Sequence, residues 1–203
     1  MIKLFHSSRT RSVRVLWLLE ELGLPYELKT MSFTQEALKS PEYLKVNPAG
    51  KIPAIQDGDL TMYESGAIVE YIVEKYGQGK LAPAPGSPDR GLYLQWLHFA
   101  EATALPPVGD IARHMMFLPE ADRIPAVVAD ARVRVAGILA AMEKELAGKQ
   151  YLLGASFSAA DVMMGYSFTL MKWFGLVTDA YPNVTAYLGR LEQRPAYQKA
   201  ISA

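Results

Sequence analysis

The stretch Asn47-Pro-Ala-Gly-Lys-Ile-Pro-Ala-Ile-Gln-Asp-Gly-Asp-Leu-Thr-Met-Tyr-Glu-Ser-Gly-Ala67 reads as a turn, a strand, a hairpin, a returning strand and the start of a helix. Asn47, Pro48 and Gly50 make the turn, Ile52 to Gln56 is a short apolar run, and Asp57-Gly58 tolerates the positive φ of a two-residue hairpin. Leu60 to Tyr63 is the returning strand. Pro53 heads the first strand, a position open to a residue that cannot donate to a ladder. A cis peptide between Ile52 and Pro53 turns the Ile52 N–H and C=O outward, as a slot for a short extended peptide. Glu64-Ser65 follows, with Ser65 as N-cap of a helix carrying Ala67, Ile68 and Tyr71, so a carboxylate and several free helix N–H groups face the slot. An α-amino acid end fits there, its carboxylate at the helix N-terminus and its ammonium near the acidic side chain. On spacing alone, a plain hairpin followed by a capped helix is the commoner meaning of such a pattern.

Outward from that stretch, Ile2 to Phe5 reads as a first strand, and Ser7 to Ser12 as a polar break before a helix from about Ser12 to Leu22, stopped by Gly23 and Pro25. Tyr26 to Met31 is a second strand, parallel to the first because a helix separates them. Ser40-Pro41 starts a short helical segment, and Ser65 to Tyr76 is the next helix. The order β-α-β-α-β-β-α over residues 1–77 is a thioredoxin-like arrangement with a mixed four-stranded sheet. Residues 78–88, rich in Gly and Pro, form a linker. Residues 89–203 show helical spacing only, with Leu92, Trp96, Phe99 and Thr103 on one face and Val133, Ile138, Leu139 and Met142 on another. Phe157-Ser-Ala-Ala-Asp-Val162 has the form of an N-terminal box, with Ser158 as the cap and Asp161 reaching back. A last helix pair runs from about Pro182 to Glu192 and from Pro195 onward. The fold class expected is α+β, a thioredoxin-like domain followed by an all-α domain.

Composition narrows the chemistry. The 203 residues carry 21 Lys and Arg against 21 Asp and Glu, a formal net charge of zero that suggests neither nucleic acid nor an anionic membrane as partner. Cysteine is absent, which excludes disulfides, thiolate metal sites and any nucleophilic or redox thiol of the protein's own. His6, His98 and His114 show no paired metal-ligand spacing, so no metal is expected. With no signal-like N-terminal segment and no apolar run long enough to span a bilayer, a soluble cytoplasmic protein is the expectation.

The runs "NPAGKIPAI" and "ESGAI" resemble the glutathione-binding half of the glutathione S-transferases, and "LFHSSRTRSVRVLWLLEELGLPYE" resembles that family's first strand and helix. The resemblance is specific over the first 77 residues and moderate beyond. It implies a cytosolic, homodimeric detoxification enzyme that uses glutathione as co-substrate, without a prosthetic group, and conjugates it to a small hydrophobic electrophile. It also implies contacts. Ile52, beside Pro53, pairs its backbone with the cysteinyl unit, Lys51 meets the glycyl carboxylate, and Glu64 with Ser65 holds the γ-glutamyl end. Arg11 either stabilises a thiolate or is a solvated helix-end charge. The electrophile pocket draws on Met115, Met116 and Trp173, with Phe117, Arg113 and His114 nearby. Glu101 reaches the partner subunit's glutathione. Glutathione-dependent peroxidase or isomerase activity, and a non-catalytic binding or regulatory module, are the alternatives.

Such chemistry needs the glutathione thiol as thiolate near neutral pH, whereas a cysteine thiol titrates at about 8.5. Lowering it by about two units takes about 2.7 kcal/mol, within reach of one charge-assisted hydrogen bond and a helix dipole. The hydroxyl must lie between the first strand and first helix. Members of the family carry a Ser-Arg-Ser-x-Arg run here, which aligns Thr10 with the first serine and Ser12 with the second. Thr10 is the first candidate and Ser12 the second, and either also serves as an ordinary helix cap.

Overall fold

The structure, a computed structural model, describes residues 1–203. Ile2, Leu4, Phe5 and His6 are all buried, a pattern that only a central strand satisfies. β1 (Ile2–His6) pairs parallel with β2 (Tyr26–Thr30) and antiparallel with β3 (Ala54–Asp57), which pairs antiparallel with β4 (Leu60–Tyr63). The sheet order is β2-β1-β3-β4. Helix α1 (Ser12–Leu22) is buried without a break from Ser12 to Leu19, which accounts for its nearly unbroken apolar sequence. Two short helices, α2 (Gln35–Leu38) and α3 (Pro41–Leu44), precede β3, and α4 (Ser65–Tyr76) follows β4. The one local signal for α2 is Thr34, whose hydroxyl accepts from the Ala37 N–H.

Three local readings need correction. β3 begins at Ala54, and Ile52 and Pro53 lie ahead of it with a cis peptide between them. Asp57 pairs with Leu60, so the hairpin turn is Gly58-Asp59, with Gly58 at φ 61° as the first turn residue. Ser65 is the first helical residue of α4, and Glu64 occupies the cap position at φ 75° without a side-chain cap bond.

The second region is helical: α5 (Pro88–Phe99), α6 (Leu105–Ala112), α7 (Pro125–Glu145), α8 (Ala159–Trp173) and α9 (Pro182–Glu192), with π-helical turns at Ala100–Ala104 and Arg113–Phe117. The buried face of α5 and its π-turn is Tyr93, Trp96, Leu97, Ala100 and Ala104, while Leu92 and Thr103 are exposed. The buried stripe keeps the ordinary helical spacing but lies one residue on from the expected one, along Tyr93, Leu97, Ala100 and Ala104. In α7 the buried face is Ala131, Val135, Leu139 and Met142, and Val133 is exposed. The Asp161 carboxylate, fully buried, accepts from the Ser158 N–H and hydroxyl, the Leu152 N–H and the Tyr187 hydroxyl. That is the reach back to the cap expected of it.

The chain divides into two compact units, residues 1–82 together with 192–203, and residues 83–191. The C-terminal segment, expected to close the helical domain, packs instead on α1. In α10 (Pro195–Ser202) Tyr197 meets Trp17 edge to face at 5.0 Å, Lys199 pairs with Glu20 at 2.7 Å, and Arg194 grips both Glu21 oxygens at 2.6 and 2.7 Å. The bidentate guanidinium, the ring contact and the burial of Tyr197 and Ala200 together give so short a helix a fixed place. No helix is long and apolar enough to cross a membrane.

Asp57 anchors the far end of β3 to α4. Its Oδ2 accepts from the Tyr71 hydroxyl at 2.7 Å, the Tyr76 hydroxyl at 2.5 Å and Lys75 Nζ at 2.9 Å. Hydrogen bonds from Tyr71, Tyr76 and Lys75 hold the Asp57 carboxyl down at about 2. A depressed carboxyl stabilises the fold fully above its unfolded value and loses that contribution as pH falls through its folded value. Asp57→Asn should therefore lower the melting temperature by about 2–6 °C near neutral pH. In thermal melts the gap should close between pH ~4 and pH ~2; a gap that persists at pH ~2 would contradict the role.

Candidate functional site

Between β1 and α1 the chain turns through Ser7 to Arg11, with Arg9 at φ 60°. Six polar groups converge there. Ser12 Oγ accepts from the Ser7 N–H at 3.2 Å and lies 2.9 Å from His6 Nδ1, 2.8 Å from Thr10 Oγ1 and 3.1 Å from the Ser7 carbonyl. Thr10 Oγ1 donates to the Ser7 carbonyl at 2.8 Å and accepts from the Ser12 N–H at 3.3 Å. The hydroxyl of Thr10 thus sits on the first N–H of α1, at the positive end of the helix. Burial lowers the pKa of His6, whose Nε2 lies 3.5 Å from the Ala203 carbonyl, so the ring is neutral at neutral pH.

The two candidate hydroxyls differ in access. Ser12 has no exposed surface, whereas Thr10 keeps 8% of its own. Ser12 is the interior hub of the cluster and Thr10 its outer member. Arg11 is half-buried beside them.

The loop from Asn47 to Pro53 is held from behind. The Lys51 carbonyl accepts from the Tyr43 hydroxyl at 2.6 Å and from Asn47 Nδ2 at 2.7 Å, and Asn47 Oδ1 accepts from the Ala49 N–H. Burial pushes the Tyr43 hydroxyl up to about 12, so it remains a donor throughout the neutral range. Gly50, at φ 60°, has the Leu38 carbonyl 2.7 Å from where a Cβ would stand, so only glycine fits. The Ile52 N–H and C=O make no hydrogen bond within the chain, and the Lys51 side chain is exposed. The sequence pointed to Asn47 only as a turn residue and to Tyr43 not at all; a tyrosine four residues before an Asn-Pro is the signal that was there.

At the start of α4 the exposed Glu64 holds a backbone conformation that residues with a Cβ rarely adopt, and such outliers cluster at functional sites. The first intrahelical bond runs from the Ile68 N–H to the Glu64 carbonyl, leaving the N–H groups of Ser65, Gly66 and Ala67 unbonded within the chain. Ser65 is buried, and Arg14 Nη1 donates to its hydroxyl at 3.1 Å. Neither His6 nor Arg14 was singled out from sequence as part of a site.

In the helical unit Met115 and Met116 are 42% and 61% exposed and Phe117 60%, so the methionines are surface rather than core. Trp173 is likewise exposed, its ring edge-on to Tyr166 at 6.4 Å. Glu101 is half-buried in the first π-turn. No group of three His, Asp or Glu side chains is arranged to hold a metal.

Residues 1–74 match the family described as glutathione S-transferase, N-terminal domain, and residues 125–190 that described as glutathione S-transferase, C-terminal domain. The glutathione S-transferase-like protein OpS6 of Beauveria bassiana is 33% identical, over 98% of this chain and 93% of that protein. The probable glutathione S-transferase GSTF1 of Oryza sativa subsp. japonica is 34% identical, over 98% and 94%. Among solved structures, the glutathione transferase URE2P6 from Phanerochaete chrysosporium, in complex with oxidized glutathione, superposes with a TM-score of 0.89 at 29% identity, covering 99% of this chain and 94% of that one. A glutathione transferase family member from Pseudomonas fluorescens with two glutathione bound gives 0.89 at 30% identity, covering 98% and 92%.

Ser12→Ala leaves the Ser7 N–H and His6 Nδ1 facing a void inside the cluster. It should cost about 1–3 kcal/mol, read as a fall of about 2–4 °C in melting temperature per kcal/mol. An unchanged melting temperature would remove Ser12 as the hub.

Proposed function

The chain belongs to the glutathione S-transferase family, and from that premise we propose that it activates glutathione at Thr10 and conjugates the thiolate to a small hydrophobic electrophile. The observation that carries the proposal is the Thr10 hydroxyl, the outer member of a buried hydroxyl cluster at the positive end of α1. Its proton rests on the Ser7 carbonyl, which Ser12 Oγ also reaches, so that carbonyl keeps a donor when the Thr10 proton turns to sulfur. The exchange gives up a neutral hydrogen bond of about 0.5–1.5 kcal/mol and gains a charge-assisted one of about 1.5–3. With a dipole contribution of about 0.3–1 kcal/mol, the middle of these ranges lowers the thiol by about one and a half units. Ser12 supports Thr10 from the interior. Arg11, beside it, adds a positive charge toward the thiolate.

Glutathione is the co-substrate, and no prosthetic group takes part. The free N–H and C=O of Ile52, ahead of Pro53, pair with the cysteinyl unit. Lys51 meets the glycyl carboxylate, and the γ-glutamyl carboxylate takes the unbonded N–H groups and hydroxyl at Ser65, with its ammonium toward Glu64. The thiolate then attacks an electrophilic carbon, a C–S bond forms, and the leaving group departs with its electron pair. Met115, Met116 and Trp173 supply apolar surface for the electrophile, methionine suiting varied shapes. The working form is a cytoplasmic homodimer in which Glu101 reaches the partner subunit's glutathione. The full set Lys51, Ile52, Pro53, Glu64 and Ser65 speaks against a non-catalytic module.

Turnover of glutathione with an activated aryl chloride tests this. The wild type should form the thioether, and Lys51→Ala should raise the KM for glutathione by about threefold to tenfold, in line with loss of one exposed charged contact, with little change in kcat. Binding of glutathione without any thioether would leave a binding module in place of a transferase.

A further inference from the structure

One buried cation stands behind the start of α4. Arg14, in the first turn of α1, is fully buried, and α1 packs on α4. Its Nη1 meets Ser65 Oγ at 3.1 Å. A guanidinium offers donors only and keeps its charge at every working pH. The direction of this bond is therefore fixed, with Arg14 donating and Ser65 accepting. The Ser65 hydroxyl makes no second hydrogen bond within the chain, so its own proton remains to be given. Beside it the N–H groups of Ser65, Gly66 and Ala67 also lack partners in the chain. Four donors with a positive charge behind them form a receptor for one carboxylate.

We propose that Arg14 is a positioning residue for glutathione: by donating into Ser65 it aims the Ser65 proton at the α-carboxylate of the γ-glutamyl unit. This rests on the reading of Ser65 as the γ-glutamyl contact. Arg14 touches no substrate. Its effect passes through one hydroxyl and through its charge, which adds to the positive end of α4 in a setting where water screens little. Lysine does not replace it, since a compact ammonium on a different stem lacks the planar fork that reaches Ser65 from α1. A purely structural arginine would hold α1 against α4 and act on every ligand alike.

The ligands that separate the two are glutathione and its analogue in which 4-aminobutanoyl replaces the γ-glutamyl group, which keeps the amine and lacks the α-carboxylate. Affinities for both are measured by calorimetry on the full chain, with KM and kcat for glutathione, in wild type, Arg14→Met, Arg14→Lys and Ser65→Ala. Arg14→Met should weaken glutathione about tenfold, the effect of losing one charge-assisted contact, and change the analogue by less than about twofold. Its kcat should stay near that of the wild type. Should Arg14→Met fail to fold, Arg14→Lys carries the test, with a loss of about threefold to fivefold for glutathione and none for the analogue, since the charge is kept and the fork is not. An equal loss for both ligands, or no loss for glutathione where Ser65→Ala does weaken it, overturns the role of Arg14. If Ser65→Ala leaves glutathione affinity unchanged, it is the Ser65 contact that fails, and the role of Arg14 fails with it.

Discussion

The buried hydroxyl of Ser12 ties the end of β1 to the start of α1, and the rest of the site depends on that tie. Its oxygen meets a backbone N–H, a neutral imidazole and the Thr10 hydroxyl within 3.2 Å. An interior group with that many partners is costly to disturb, because each partner is left without water when the bond is lost. The first turn of α1 is thereby fixed. From that one turn Thr10 is held at the helix terminus, and Arg14 extends to Ser65 at the start of α4. In the proposed site this one turn therefore supports both the Thr10 hydroxyl offered to the glutathione sulfur and, through Arg14, the Ser65 hydroxyl offered to the γ-glutamyl carboxylate.

The loop proposed to meet the cysteinyl backbone is a different device. A loop that presents free backbone groups must be rigid without a ladder, and here the rigidity comes from behind, through Tyr43 and Asn47 on the Lys51 carbonyl. Gly50 lets the chain pass against the Leu38 carbonyl, where no other residue fits. The Ile52 N–H and C=O make no hydrogen bond within the chain, while its side chain packs with Phe5, Leu38, Tyr43 and Ala54. Packing and hydrogen bonding thus cooperate to expose one donor and one acceptor.

Much of this was legible from local chemistry. Turn residues, the alternation of the hairpin and the apolar run of α1 carry their own conformational preferences, so the sheet, its order of elements and the cis Ile52–Pro53 peptide could be read in advance. The box at Ser158 and Asp161 was legible for the same reason. What stayed hidden depends on tertiary contact. The α5 stripe lies one residue on from the expected one because the helices packed against it, rather than the spacing, decide which residues are covered, and α10 belongs with α1 through Arg194 and Glu21, residues far apart in sequence. Thr10 and Ser12 looked alike as hydroxyls near a helix start. Burial separates them, and burial is a property of the whole unit. Arg14 is a single polar residue in an apolar run and His6 the last residue of a buried strand, and only the partners that folding brings to them give them a role.

The central claim is that the Thr10 hydroxyl makes bound glutathione a thiolate. The measurement that bears on it most directly is an ultraviolet difference titration of the thiolate across pH, on wild type and Thr10→Val. The account predicts a bound thiol about one and a half units below the ordinary cysteine value of about 8.5 in the wild type, returning toward that value in Thr10→Val while glutathione still binds. A thiolate that forms equally well in Thr10→Val, or none in the wild type, would contradict it.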